Sequence, residues 1–278
     1  MKPILLRGHE KPINVVKFNF DGDLFFTGSA DKRINLWSSF TGERLGSFTG
    51  SAAIKSLDVS DDSTLMISAS MNGILEFWEA LTGQLIGSIK KYAKAKYIEF
   101  ALGDKEIVVV YESYGSPDNE VRIFNVEKIL QLLKQKQELE DSKELSSHGF
   151  FIPEKKRLSQ INWDFLNNGF IASTDDGYIM KLDLNGKVLS SAKVHDEINA
   201  FSIASDYSMI LTAGRDGGRL LDLETLEEIR SFKQEFPMNA AAISPMTKEK
   251  NKPKYHAIIG GGIPARMAAK TKVKLYIF

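Results

Sequence analysis

The sequence contains no cysteine, so disulfide staples, thiolate metal centres and cysteine nucleophiles are all excluded. Histidine is scarce: His9, His148, His195 and His256 are the whole set, and none stands four positions from another, which removes the helical zinc pair. No apolar run is long enough to cross a bilayer, and the opening Met1-Lys2-Pro3-Ile4-Leu5-Leu6-Arg7 is too short to be a signal peptide. Neither sign of charge prevails, because 36 Lys and Arg oppose 36 Asp and Glu, so no global field draws the chain to nucleic acid or to an anionic membrane. A Gly-x-Ser-x-Gly elbow is missing, and Gly260-Gly261-Gly262 lacks the Lys-Ser/Thr of a phosphate loop, which leaves a strand end or a close backbone approach. Together these absences point to a soluble, intracellular protein that is not an enzyme and needs no cofactor or metal.

What is present is a repeat. A short, mainly apolar strand recurs as Ile13-Asn14-Val15-Val16-Lys17-Phe18, Ile54-Lys55-Ser56-Leu57-Asp58-Val59, Ala95 to Phe100, Leu158 to Trp163, Ile198 to Ile203 and Met238 to Ile243. Each copy leads through a polar turn, such as Asp21-Gly22-Asp23 or Ser60-Asp61-Asp62-Ser63, into a denser strand such as Leu65-Met66-Ile67-Ser68 or Ile107-Val108-Val109-Val110. Strands apolar on both faces suit packing between neighbouring sheets. A second turn carries Asp31, Asn72, Asp118, Asp176 or Asp216, and six positions later stand Trp37, Trp78, Phe124, Leu182 and Asp222. Those landmarks lie 41, 46, 58 and 40 residues apart. A fourth strand follows tight turns at Thr41-Gly42, Thr82-Gly83 and Asn185-Gly186. Four short strands in a period near 40 residues predict an all-β propeller of the WD-repeat type, with six detectable repeats in a single domain over residues 1–278.

The first repeat is the best formed. Gly8-His9 opens it, Ser29 and Asp31 flank its second turn, and Trp37 closes its third strand. His9, Ser29, Asp31 and Trp37 are expected to form a structural hydrogen-bonded network, since a buried Asp or His is costly unless paired. Later repeats are eroded: Ser51 replaces the histidine of the second, and the fifth keeps His195 and Asp216 but has Asp222 at the tryptophan position.

The longest interval holds an insertion at about 127–156, whose helix formers and apolar residues Ile129, Leu132, Leu133 and Leu139 predict a helical excursion on the rim. Basic clusters occur at Lys90 to Lys96, Lys248 to Lys254 and Arg266 to Lys274. They suit solvated loop tips, and without interleaved aromatic residues they offer bases no stacking platform, so direct RNA contact is expected to be minor or absent.

The opening Met1 to Glu10, the stretch Asn19 to Thr27, Trp37 with Gly42-Glu43-Arg44-Leu45-Gly46, and the late runs Leu221 to Glu227, Pro237 to Pro245 and Ile258 to Gly262 carry a more specific likeness. In these motifs the chain resembles the subunit i family of eukaryotic translation initiation factor 3. The resemblance implies a cytoplasmic scaffold that binds subunits b and g in the factor engaging the small ribosomal subunit. The other reading of a WD-repeat propeller is an adaptor in another assembly, such as a signalling complex. A helix of subunit b captured by a charged rim makes Asp216 and Glu235 the candidate protein-binding residues. The family has seven blades, with Ile4-Leu5-Leu6 completing the last. Either a blade is missing here, or that strand completes a sixth.

Overall fold

The computed structural model of the protein describes residues 6–112, 114, 119–142, 145–152, 156–245, 247–249, 252–263 and 270–277. The chain forms two compact units, Met1–Ile152 and Pro153–Phe278. In the first, β1 (Ile13–Phe18), β2 (Leu24–Ser29), β3 (Arg33–Ser38) and β4 (Arg44–Thr49) make one antiparallel sheet in sequence order. A second follows the same pattern with β5 (Ile54–Val59), β6 (Leu65–Ser70), β7 (Ile74–Glu79) and β8 (Leu85–Lys90). The third has β9 (Lys94–Phe100), β10 (Glu106–Glu112) and β11 (Asn119–Asn125), then α1 (Val126–Gln135), β12 (Glu138–Glu140) and β13 (His148–Phe151). The strand β13 is the fourth of this sheet, whereas β12 pairs in parallel with β8 as a fifth strand of the sheet before it.

In the second unit β14 (Leu158–Trp163), β15 (Gly169–Thr174), β16 (Tyr178–Asp183) and β17 (Val188–Lys193) form one sheet. The next contains β18 (Ile198–Ile203), β19 (Met209–Gly214), β20 (Gly217–Asp222) and β21 (Glu228–Lys233). After β22 (Met238–Ile243) comes a hairpin of β23 (Thr247–Glu249) and β24 (Lys252–Lys254), and β25 (His256–Ile263) and β26 (Lys270–Ile277) then join β22 in a three-stranded sheet. These are the blades of a WD-repeat propeller. Among the described residues five are complete, fewer than the six repeats expected from the sequence and the seven blades that the resemblance implies. The sixth repeat gives its middle to the β23–β24 hairpin and pairs three strands among the described residues. Residues 4 and 5 of the expected closing strand Ile4-Leu5-Leu6 lie outside those described, as do Asp118 and residues 264–269, which include Arg266 at the head of the last basic cluster. Among the described residues no helix is long and apolar enough to cross a membrane.

The second strand of each blade is the most buried, and all six residues of both β6 and β15 are enclosed. Within each unit, neighbouring blades pack face to face through buried layers. Phe26, Ile34, Ile54, Leu57 and Trp78 fill one layer in the first unit, and Ile179, Phe201, Ile210 and Leu221 fill one in the second. Burial on this scale is the main stabilising term. The tight turns before the fourth strands place Gly42, Gly83 and Gly186 in the left-handed region. In the fifth blade Leu226 takes that conformation, at φ +61°, with its side chain buried in the core.

The insertion packs against the blades. Asn125 caps α1 by accepting the Lys128 N–H, and Ile129 and Leu133 are buried in the core that blades two and three share. A Cβ on Gly87 would meet Leu133 Cδ2 at 2.7 Å and the Gln137 carbonyl at 2.6 Å, so a glycine in β8 is what lets the insertion lie against the blade.

Among the described residues no backbone ladder joins the inner strand of one blade to that of the next, and side chains take its place. Asn14 Nδ2 donates to the Ile54 carbonyl at 2.7 Å, Ser159 Oγ to that of Ile198 at 2.6 Å and Asn199 Nδ2 to that of Met238 at 2.9 Å. Gln160 both donates to the Phe201 carbonyl and accepts its N–H, at 3.0 Å each. The Asp58 carboxylate accepts the Phe100 N–H at 2.8 Å and pairs with Lys17 at 2.9 Å.

A related stitch joins the turns of blades two and three, where the Asp61 N–H donates to Asp104 Oδ2 at 2.7 Å. Burial pushes the Asp104 carboxyl up to about 6, and the nearby Asp61, Asp62 and Asp58 carboxylates add to the shift. Between its unfolded value near 4 and about 6 the folded chain therefore holds a proton that the unfolded chain has released, and stability falls as pH rises through that window. Asp104→Asn keeps the accepting oxygen and suits the left-handed backbone at φ +57°. It should raise stability at pH 7.5 by about 1 kcal/mol, a figure reduced for solvent screening of a half-buried group, and have no stabilising effect at pH 4. Thermal melts at the two pH values check this, and an equal effect at both would contradict it.

Candidate protein-binding site

The network of the first blade fixes the standard by which the later ones are judged. His9 Nδ1–H donates to Asp31 at 3.0 Å, and its Nε2 stands 2.7 Å from Thr27 Oγ1, which accepts the Trp37 indole N–H at 2.9 Å. A neutral ring with its proton on Nδ1 satisfies every group, since the Thr27 hydroxyl then donates to Nε2. Burial pushes the Asp31 carboxyl up, but the N–H groups of Arg33 and Glu10, together with His9, outweigh it and hold the group below its ordinary value. Thr27, not Ser29, bridges histidine to indole. Ser29 lies two residues nearer the turn, where its hydroxyl accepts the Asp31 N–H and faces the carbonyls of Lys11 and Pro12.

A second position escaped the sequence reading. Asn35, Glu76 and Arg122 each stand two residues before the tryptophan position of blades one to three, and all are buried. Asn35 donates to the Gly8 carbonyl at 2.9 Å, and Glu76 accepts the Ser51 N–H at 2.9 Å, replacing the missing histidine. Arg122 bonds Asp141 at 3.0 Å and the Ser142 carbonyl at 2.6 Å. The three residues share no chemistry; the signal available in sequence marks the bridging hydroxyl instead, with Thr27 and Ser68 each ten residues before the indoles of Trp37 and Trp78.

In the fifth blade His195 Nδ1–H donates to Asp216, and Thr212 Oγ1 lies 2.8 Å from Nε2. Asp222 supplies no indole donor. It accepts the N–H groups of Glu224 and Thr225 instead, at 2.9 and 2.8 Å. Burial pushes the His195 imidazole down, against the pull of Asp216, and keeps it neutral near pH 7. Burial also raises Asp216, but the hydrogen bonds from His195 and Arg219 outweigh it and hold its carboxyl below the usual range. The Asp216 side chain remains 47% exposed and receives Arg219 at 2.7 Å. It opens onto a cleft of about 310 Å³ lined also by Gly218, Arg219, Glu228, Ser231 and Lys233.

Glu235 does not line that cleft, yet it belongs to the same end of the blade. The Gln234 N–H donates to the Asp216 carbonyl at 3.3 Å, and Glu235 follows directly, with its side chain exposed. An apolar groove of about 690 Å³, lined by Phe165, Leu166, Leu189, Tyr207 and Leu223 among others, lies by the turns at the opposite end of blades four and five. The charged cleft and the apolar groove are separate features. Gly260 to Gly262 lie inside β25, where a Cβ on Gly261 would collide with the Pro237 carbonyl, so Gly261 serves a close backbone approach. Among the described residues no group of three His, Asp or Glu is placed to hold a metal ion.

Removing the Thr27 hydroxyl should uncouple the first network. Thr27→Val leaves the Trp37 N–H and His9 Nε2 without their shared partner and is expected to cost about 1–3 kcal/mol, whereas Thr27→Ser restores most of the loss. Urea midpoints of the two variants measure the difference, and equal midpoints would show that Thr27 bridges nothing of consequence.

Comparison with known proteins agrees with the blade geometry. The family of the WD domain, G-beta repeat, matches residues 3–38 and 42–79. Over 280 residues the chain is 34% identical to eukaryotic translation initiation factor 3 subunit I of Dictyostelium discoideum, covering 98% of this chain and 78% of that protein. The subunit I proteins of Debaryomyces hansenii and Danio rerio are 30% and 29% identical, covering 98% and 99% of this chain and 77% and 81% of their own lengths. A likeness that runs through every blade in this way places the chain in the family of eukaryotic translation initiation factor 3 subunit I.

Proposed function

We propose that this chain is a non-enzymatic scaffold subunit of initiation factor 3, working in the cytoplasm and binding subunits b and g in the complex that engages the small ribosomal subunit. Asp216 and Glu235 are its contact residues on the fifth blade. The observation that carries the placement is the anchoring of Asp216: one oxygen is tied to a buried histidine while about half of the side chain faces solvent. A carboxylate held in this way loses little freedom on binding and presents its charge at a fixed place. Charges at such a rim mainly set partner choice and encounter rate, and apolar anchors supply most of the affinity. The cleft beside Asp216 is polar, so those anchors must come from surfaces beyond it.

Two measurements test the proposal. Tagged protein isolated from cell extract should bring down initiation-factor subunits and small ribosomal subunits. Recovery with an unrelated assembly alone would favour the general adaptor reading. The double variant Asp216→Asn with Glu235→Lys keeps an acceptor for His195 but gives up the ion pair with Arg219, so its melting temperature should fall only slightly while its affinity for subunit b falls roughly tenfold. Unchanged affinity would remove these residues from the interface.

A further inference from the structure

The turn between β8 and β9, Lys91-Tyr92-Ala93, is held from several directions. The Lys91 N–H donates to the Gly73 carbonyl at 3.2 Å and the Ala93 N–H to the Lys91 carbonyl at 2.9 Å. The Lys91 ammonium is fixed by Glu120 at 2.9 Å and Asp141 at 2.8 Å. Gly73, at φ +81°, lets the β6–β7 turn buttress this one directly, since a Cβ there would collide with the carbonyls of Lys91 and Ala93. Ala93 is buried. Between these anchored neighbours Tyr92 is 91% exposed. An aromatic ring held out in water on a pinned turn adds nothing to the core.

A second ring stands beside it. Tyr114, from the segment between β10 and β11, lies with its centroid 5.3 Å from that of Tyr92 and its plane tilted by 51°. Its hydroxyl donates to the Met71 carbonyl at 3.4 Å, and Lys94 Nζ sits 5.6 Å from its ring centroid. Lys90, at the end of β8, is exposed. The basic run from Lys90 to Lys96 carries one ring, Tyr92, and no paired platform in sequence. The fold supplies one by bringing Tyr114 to Tyr92.

We propose that Tyr92, Tyr114, Lys90 and Lys94 form a contact site for single-stranded RNA. Exposed aromatic faces accept any base, and adjacent ammonium groups take the phosphates. Lys91 is neutralised by its two carboxylates and makes no phosphate contact. Glu112 pairs across the sheet with Lys94, and Glu140 with Lys90, so the patch is mixed in charge. Stacking therefore supplies most of the affinity. The same carboxylates disfavour an acidic peptide, which would gain no stacking in return. This site lies in the first unit and does not depend on the assignment of Asp216 and Glu235.

The test is fluorescence anisotropy of a labelled oligouridine of about ten nucleotides with the full chain. Saturable binding is expected, with log K falling against log salt at a slope of about −1.4, the value for two phosphate contacts on a single strand. Tyr92→Ala should weaken binding roughly tenfold, Tyr92→Phe should retain it, and the double variant Lys90→Gln with Lys94→Gln should flatten the slope towards zero. Since Tyr92 is nearly fully exposed, circular dichroism of its variants should match the parent. Absence of binding at low salt, or equal affinity of the Tyr92→Ala and Tyr92→Phe proteins, overturns the proposal. So does loss of a protein partner from extract with RNA affinity unchanged, which would assign the patch to protein recognition.

Discussion

The inner strand of a blade shares no backbone hydrogen-bond ladder with the next, so its polar edge must find partners elsewhere or pay the desolvation cost of going without. Side chains from the neighbouring blade meet that need within each unit. The donors are short and polar, as in Asn14, Ser159 and Asn199 at the second position of the inner strand. Each bond contributes about 1 kcal/mol net, far less than the apolar layers between sheets. Their larger effect is on register, because a strand displaced by one residue would turn these side chains to the wrong face.

That division between bulk packing and specific bonds explains what the sequence made legible. Period and strand density follow from packing, so the inner strands, the buried second strands and the tight turns could be located residue by residue. Polar networks depend on which side chain reaches which atom. His9 and Asp31 are hydrogen-bonded to each other, and Thr27 rather than Ser29 bridges His9 to Trp37. Asn35, Glu76 and Arg122 share one position while differing in chemistry, so no consensus letter marks them. The missing strand of the third blade was hidden for another reason: β13 comes after α1, which packs in the core shared by blades two and three, and β12, which joins blade two.

Turn aspartates show how one residue type divides between an enclosed place and a solvent-facing one. Asp31 and Asp216 hold equivalent places and each receives a histidine Nδ1–H, yet the side chain of Asp31 is 6% exposed and that of Asp216 47%. In the first blade two backbone N–H groups close over the carboxylate. In the fifth, the long side chain of Arg219 covers the remaining oxygen instead. Exchanging fixed backbone donors for one long side chain leaves the carboxylate open to solvent.

The insertion links these themes in the first unit. Its strand β12 closes the outer edge of blade two, which would otherwise present unpaired backbone groups. Asp141 follows directly, with a side chain only 1% exposed, and binds both Lys91 and Arg122. Removing one partner of such a buried set leaves an uncompensated charge, so the four groups Lys91, Glu120, Arg122 and Asp141 must form together. The insertion thereby fixes the turn that carries Tyr92, and a segment that looks in sequence like a rim excursion sets the geometry of the most exposed aromatic ring among the described residues of the unit.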